Sequence, residues 1–181
     1  GGGILGARND ENGGVGVAPE DGILCGKVLG DNGSGSGGQV AAGVHWAIDM
    51  KVDVISMSLG GSDDPQIHAS LKDAAHAGIV CVVAAGNSGP GPNTIEYPGR
   101  YDEVVCVGSI NKQRQVSKFS SRGPELDVIA PGEKILSCYL NRGFAQLSGT
   151  SMATPFAAGV VLLFLAACRK AGLSGTPRQL L

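Results

Sequence analysis

The chain has 181 residues, a length typical of a single domain with one sizeable core. Its 14 basic and 16 acidic residues give a formal net charge of -2, so no excess of positive charge is available to bind nucleic acid or an anionic membrane surface. The 30 glycines follow no fixed period and lie between apolar runs, which excludes a collagen-like or low-complexity chain.

Five short apolar runs have the length of β-strands, and helix-compatible segments separate the earlier ones. The predicted strands are 23–28, 52–57, 79–84, 104–109 and 127–129, and the predicted helices are 39–50 and 65–77. Near-continuous apolar strands joined by helices are typical of a parallel sheet that is covered on both faces. We therefore predict an α/β fold with three layers, in which a doubly wound, mostly parallel sheet carries helices on both faces.

Three glycine-rich loops follow strands, at 31–38, 58–65 and 86–93. Ligands of parallel sheets bind beyond the carboxyl ends of the strands, so these loops are expected to open on one edge. The last apolar stretch, 156–168, is about seven residues short of the roughly 20 that cross a bilayer, and we predict a buried core helix there.

Cysteine usage and the start of the chain bear on its compartment. Five cysteines cannot all pair within one chain, and Cys25, Cys81 and Cys106 lie in strand-like apolar runs, so a disulfide framework is not expected. No basic segment followed by an apolar one opens the chain. These features favour the cytoplasm, and secretion stays open if a signal and a propeptide precede Gly1.

The segment 147–155 leads directly into the predicted core helix and contains Gly149 and Ser151. The glycine permits a close approach of the backbone, and the start of a helix favours developing negative charge on a serine. Ser151 is therefore a candidate nucleophile. The alternative is that Ser151 only caps the helix, since serine is a preferred N-cap residue.

Three segments resemble motifs of the subtilisin-like serine protease family, in the family's order and at similar separations. GTSMATP at 149–155 resembles the nucleophile motif, VAAGNSG at 83–89 the oxyanion-hole segment, and ISMSLG at 55–60 the substrate-pairing strand. GGVGVAP at 13–19 and KVLG at 27–30 also match, and the wording of 7–20 is closest to the intracellular bacterial branch. The resemblance implies a single subtilisin-like catalytic domain over 1–181 that is incomplete at both ends.

The resemblance also implies the roles of the site residues. Ser151 attacks the scissile carbonyl, while the Asn87 side-chain amide and the Ser151 backbone N–H hold the oxyanion. The peptide is sandwiched as an added strand between two backbone walls, and small residues leave room for a large apolar side chain before the cut. One wall is Ser58, Leu59 and Gly60, and the opposite wall is Gly33, Ser34 and Gly35. One side of the pocket is Ala84, Ala85 and Gly86.

Read without the resemblance, several of these residues have ordinary structural interpretations. Asn87 in a GNSG turn is typical of a structural residue in the left-handed conformation, and each glycine is typical of a turn. Asp10 aligns with the family's calcium loop, which implies a structural calcium ion and no organic cofactor, but two further ligands come from before Gly1. Alone, Asp10 and Asn12 read as a solvated turn.

The serine needs a general base and an orienting carboxylate, and the family's motifs for both are missing. The resemblance places the catalytic His and Asp upstream of Gly1. The three histidines of the chain, His45, His68 and His76, lie on helix-like segments without matching context and are predicted to be surface residues. Phe156 stands where the family usually has a histidine, a change that bears on packing.

Two functions remain open. The first is a serine endopeptidase that acts on polypeptide, with a propeptide or inhibitor as a further partner, and whose activity is not expected from this chain alone. The second is a catalytically inactive relative that binds peptides in the same groove. A nucleotide-binding domain is disfavoured, because the GGVGVAP segment lacks the third glycine of the dinucleotide motif and no GK[ST] opens a helix.

Overall fold

A parallel sheet of four strands organises the computed structural model, which describes residues 15–181. The strands follow one another across the sheet in chain order, and each pairs with the next in parallel. They are β1 (Val54–Met57), β2 (Val80–Ala84), β3 (Val104–Ile110) and β4 (Val128–Pro131). This confirms the predicted α/β class.

The register of the sheet brings the carboxyl ends of β1 and β2 together. Met57 pairs with Val83, so the loop that starts at Ser58 runs beside the segment that starts at Ala84. Two of the predicted site segments therefore leave the sheet at the same edge.

Two helices cover one face, and local sequence determines where each begins. Helix α1 (Gly37–Asp49) starts at Ser36, whose side chain accepts a hydrogen bond from the Gln39 N–H, and the Gln39 side chain bonds back to the Ser36 backbone. Helix α2 (Pro65–His76) starts at Asp64. The Asp64 carboxylate accepts hydrogen bonds from the first turn of α2, which otherwise has no partners for its N–H groups.

A third long helix, α3 (Thr150–Lys170), covers the opposite face, and a short helix, α4 (Pro177–Leu180), follows it. The alternation of side chains along β2 serves both faces. Cys81 and Val83 pack with residues of α1 and α2, whereas Val80 and Val82 pack with residues of α3. All three layers of the predicted fold are present.

Helix α3 begins six residues before the predicted core helix and is by length and composition apolar enough to cross a membrane. Its Ala153, Ala158 and Leu165 are nevertheless buried against the sheet. Val160, Leu163 and Phe164 on the same helix are exposed, so the helix packs on the sheet along one face and is not buried all round as predicted.

An antiparallel hairpin precedes α3. It consists of β5 (Ile135–Cys138) and β6 (Phe144–Leu147), joined through a single 3-10 turn at Leu140–Arg142. Strand β6 ends two residues before Gly149, the N-cap residue of α3.

The predicted strand at 23–28 is wrong for the described structure. Residues 22–28 carry no strand assignment, and Ile23 and Leu24 are exposed. A cavity of about 960 Å³ separates this segment from β1, so within residues 15–181 its backbone has no neighbouring strand with which to form a ladder. An apolar run of strand length is therefore not sufficient for a strand.

All five cysteines are free thiols. Cys81, Cys106 and Cys168 are buried, whereas Cys25 and Cys138 are exposed. The expectation that Cys25 behaves as a small core residue fails, because its segment lies outside the described sheet.

Candidate active site

Ser151 lies in the first turn of α3 and is half-buried. The N-cap position of this helix is Gly149, and no side chain caps it. The alternative in which Ser151 serves as the cap is therefore not what the structure shows. Both the backbone N–H and the hydroxyl of Ser151 lie at a helix start, where the peptide dipoles favour negative charge.

Pro155 lies inside α3 and has no N–H to donate to the Ser151 carbonyl one turn earlier. The Ser58 hydroxyl donates to that carbonyl instead, at 2.9 Å. Ser58 directly follows β1, so this bond ties the predicted substrate-pairing segment to the residue predicted to be the nucleophile.

Asn87 is held beside the same helix start. Its Oδ1 atom accepts hydrogen bonds from the Thr150 backbone N–H at 3.0 Å and from the Thr150 hydroxyl at 3.2 Å. The Thr150 hydroxyl also accepts a bond from the Gly86 N–H at 3.2 Å, and Thr150 is fully buried. Because Oδ1 is engaged, the amide is fixed in one orientation.

The other end of that amide, the Nδ2 donor, lies next to Gly149. A Cβ atom added to Gly149 would be 3.6 Å from Nδ2, and no described residue accepts a hydrogen bond from this donor. The residue in the left-handed conformation is Gly86, with a φ of 100°, and not Asn87. Asn87 therefore presents a donor beside Ser151 and has no positive-φ role in the turn.

The side chains at the end of β2 are small and closed off from solvent. Ala84 and Ala85 are 3% and 0% exposed, and Gly86 is buried. The Glu96 backbone N–H donates to the Ala85 carbonyl at 2.9 Å, and Tyr97 pairs with Gly61. The segment around Glu96 thus bridges the two loops that follow β1 and β2.

Glu96 lies beside the site although no sequence motif indicated it. A side chain on Gly60 or on Gly86 would collide with its carboxylate, so this group lies between the two glycines. The expected apolar pocket is therefore bordered by a carboxylate. No local pattern around residue 96 could have revealed this, since the contact depends on the bridge between two loops.

The opposite wall predicted at Gly33, Ser34 and Gly35 forms an exposed turn. The Gly30 N–H donates to the Ser34 carbonyl at 2.8 Å, and Gly33 has a φ of 77°. Only glycine adopts such a conformation readily, which accounts for its position there. No hydrogen bond joins this turn to Ser58–Gly60 in the described part of the chain.

Ser151 and Ser58 also line the cavity of about 960 Å³ between residues 21–29 and β1. Residues of α1 line it as well, and so do Met152, Pro155 and Leu162 of α3. Strand β1 is an edge strand of the described sheet, so its outer side faces this space. The cavity thus lies beside the edge strand, between helices of the two outer layers, and it extends to Ser151.

The histidines have other partners. His45 interacts with Asp73 at 3.1 Å, and His68 interacts with Glu103 at 3.2 Å and stacks on Tyr101. His45 and His76 are exposed, as predicted, whereas His68 is half-buried because of this stacking. Across residues 15–181, no histidine hydrogen-bonds to Ser151.

Asp10, the predicted calcium ligand, lies outside the described residues and stays a prediction. Among the residues that the structure does describe, no group of three His, Cys, Asp or Glu side chains could hold a metal ion.

The chain is thus an α/β protein with a candidate serine nucleophile at the start of a helix, beside the amide donor of an asparagine. The profile of the Subtilase family, Peptidase S8, matches residues 1–180. The chain belongs to the subtilase family. This confirms the resemblance seen in the three sequence motifs.

Two curated relatives are both 47% identical to the chain. The Major intracellular serine protease of Bacillus subtilis (strain 168) matches over 163 residues, which cover 87% of this chain and 51% of that protein. The Intracellular serine protease of Paenibacillus polymyxa matches over 165 residues, which cover 89% of this chain and 51% of that protein. The chain thus spans about half the length of these relatives.

Solved structures show the same fold. Sphericase superposes with a TM-score of 0.89 at 32% identity, covering 99% of this chain and 64% of the other. The structure named S41 Psychrophilic Protease gives a TM-score of 0.88 at 33% identity, with the same coverage of 99% and 64%. The subtilisin-like three-layer architecture is therefore shared by these proteins.

Proposed function

We propose that the protein containing this chain is a serine endopeptidase that hydrolyses peptide bonds, with Ser151 as nucleophile and Asn87 as an oxyanion donor. The observation that carries this proposal is the fixed Asn87 amide, whose Oδ1 is bonded to Thr150 while Nδ2 lies beside Gly149. A donor held in place before the reaction stabilises developing charge without reorganisation.

In the proposed reaction, the Ser151 hydroxyl oxygen bonds to the scissile carbonyl carbon and its proton passes to a general base. The carbonyl oxygen becomes an oxyanion that accepts hydrogen bonds from Asn87 Nδ2 and the Ser151 N–H. The base then protonates the leaving nitrogen as the C–N bond breaks, which leaves an acyl-enzyme that water hydrolyses by the same steps.

The general base of this proposal is a histidine oriented by an aspartate, both expected upstream of Gly1. The described histidines are engaged with Asp73 and Glu103. The open cavity that Ser151 lines offers room next to β1 for a further strand and for residues that follow it. Calcium, which the resemblance implies at Asp10, has a structural role in this proposal and no part in the chemistry.

The second candidate is an inactive peptide-binding domain of the same family. Within residues 15–181 no base contacts Ser151, as both candidates predict, so the two differ only in whether a base lies elsewhere in the protein. It would use the segment Ser58–Gly60 to pair with an extended peptide but would form no acyl-enzyme.

Extended polypeptide is the proposed substrate class, and a propeptide or inhibitor that enters the same groove is a proposed partner. The names of the two relatives at 47% identity describe intracellular proteases, which supports a cytoplasmic location. Another relative, the Minor extracellular protease Epr of Bacillus subtilis (strain 168), is 41% identical, so secretion is the competing proposal.

Labelling with a fluorophosphonate separates the two candidates. The endopeptidase predicts that a protein containing this chain and its upstream segment is modified at Ser151, and that Ser151→Ala abolishes both labelling and peptide cleavage. Ser148→Ala is the matched control, since Ser148 donates no bond to Asn87 and lies outside the helix. Peptide binding without labelling would favour the inactive domain.

A further inference from the structure

Glu96 places a negative charge at the candidate pocket for the residue before the cut. Its carboxylate lies between Gly60, on the loop after β1, and Gly86, on the loop after β2. Both glycines belong to the predicted substrate-binding segments. Because neither carries a side chain, the carboxylate lies close to the backbone of both loops.

The position of Glu96 is determined by its backbone. The Glu96 N–H donates to the Ala85 carbonyl at 2.9 Å, and Tyr97 exchanges two hydrogen bonds with Gly61, at 2.8 and 3.1 Å. The Ser88 hydroxyl donates to Glu96 Oε1 at 2.8 Å. One carboxylate oxygen is thus anchored, and the other, Oε2, lies toward Gly60.

No described Lys or Arg side chain neutralises this carboxylate. The described basic residues in ion pairs contact other acids: Lys27 contacts Asp31, Arg100 contacts Glu125, and Arg169 contacts Asp53. A half-buried carboxylate without a cation favours a ligand that supplies one, because the charge is partly removed from water.

We propose that Glu96 selects polypeptides with Lys or Arg immediately before the scissile bond. This inference rests on the proposed function for the groove and names the substrate class of that site. The alkyl part of such a side chain lies along the accessible segment Ser58–Gly60, and its cationic end reaches the carboxylate.

The test compares kcat/KM for matched peptide substrates with Lys or Phe before the cut, in the parent protein and in Glu96→Gln. Glutamine keeps the size of the side chain and an acceptor for the Ser88 hydroxyl, so folding should be unaffected. The expected result is a preference for Lys in the parent and a roughly 10- to 100-fold fall of the Lys/Phe ratio in Glu96→Gln, the range typical of hydrogen bonds to charged groups. Asp102→Asn is the control, because it removes one exposed carboxylate just before the amino end of β3, whereas the candidate site lies at the carboxyl ends, and it should leave the ratio unchanged.

Fluorophosphonate labelling of Ser151 does not depend on Glu96 and separates the two proposals. Normal labelling with an unchanged ratio in Glu96→Gln, or a parent that prefers Phe, would overturn the role of Glu96 alone. If Ser151 is not labelled, the proposed endopeptidase function is wrong. The role of Glu96 is then tested by binding alone, through the affinities of peptides that end in Arg or in Phe. In that case, equal affinities would overturn this inference, and a preference for Arg that Glu96→Gln removes would support it.

Discussion

Thr150 is the residue that connects the two halves of the candidate site. It is fully buried, and its hydroxyl both donates to Asn87 Oδ1 and accepts from the Gly86 N–H. Thr150 also lies directly before Ser151 in the chain. We infer that Thr150 is a positioning residue, since it acts on the oxyanion through Asn87.

Substitution of Thr150 by valine tests this role. Valine has nearly the same shape but no hydroxyl, so it leaves the Gly86 N–H without a partner and loosens Asn87. We expect kcat to fall by roughly 10-fold with KM little changed, because the oxyanion forms only in the transition state, and stability to fall by about 1 to 3 kcal/mol.

Thr150→Ser keeps the hydroxyl and is expected to retain most of kcat. Asn87→Ala sets the upper limit, about 10²- to 10³-fold in kcat, a range taken from the equivalent asparagine of a subtilisin. A normal kcat in Thr150→Val, measured on a protein that still labels at Ser151, would contradict the positioning role.

The elements around the site depend on local signals at their ends. Asp64 caps α2 through Gln66 and Ile67, and a side chain added at Gly37 would collide with the Asp64 carboxyl group. The first turn of α1 therefore lies against the cap of α2. One carboxylate faces the starts of two helices that pack together over the sheet.

We expect Asp64→Ala to lower the free energy of unfolding by about 1 kcal/mol, because the first N–H groups of α2 lose their acceptor. Asp64→Asn keeps an acceptor oxygen and should lose only a fraction of that. Urea unfolding of both variants provides the measurement. Equal stability of the alanine variant and the parent protein would show that water replaces the cap at no cost.

At the scale of the whole molecule, two buried thiols make stability depend on alkaline pH. Burial raises the pKa of Cys81 to about 12 and that of Cys106 to about 12, with nearby Asp127 adding to the second shift and Arg178 opposing the first. The folded protein thus holds these protons at pH values where the unfolded chain releases them. Each thiol contributes stability that is complete below pH 9 and is lost between about pH 9 and 12.

The free energy of unfolding should therefore fall as pH rises above 9, by about 1.4 kcal/mol per pH unit for each thiol. Denaturant titrations from pH 7 to 11 measure this slope. Cys81→Ala should reduce the slope, whereas Cys138→Ala, which changes an exposed thiol, should not. An identical slope in Cys81→Ala would show that other groups control the alkaline loss.

The amino-acid sequence alone determined much of this molecule. Apolar patterns predicted β1 to β4, α1 and α2 to within a few residues, because strand and helix periodicity are local. The motif at 149–155 predicted Ser151 at the start of a buried helix, and the motif at 83–89 predicted Asn87 as its partner. The single catalytic domain over 1–181 and the site roles remain predictions.

Tertiary structure decided what depends on contacts between distant segments. The run at 23–28 has strand composition but no described neighbour, so it forms no ladder. The bond from Ser58 to the Ser151 carbonyl replaces one that Pro155 cannot make. Glu96 reaches Gly60 and Gly86 only because the parallel register places the two loops side by side. No local pattern records such a distance, since it arises from the packing of the whole sheet.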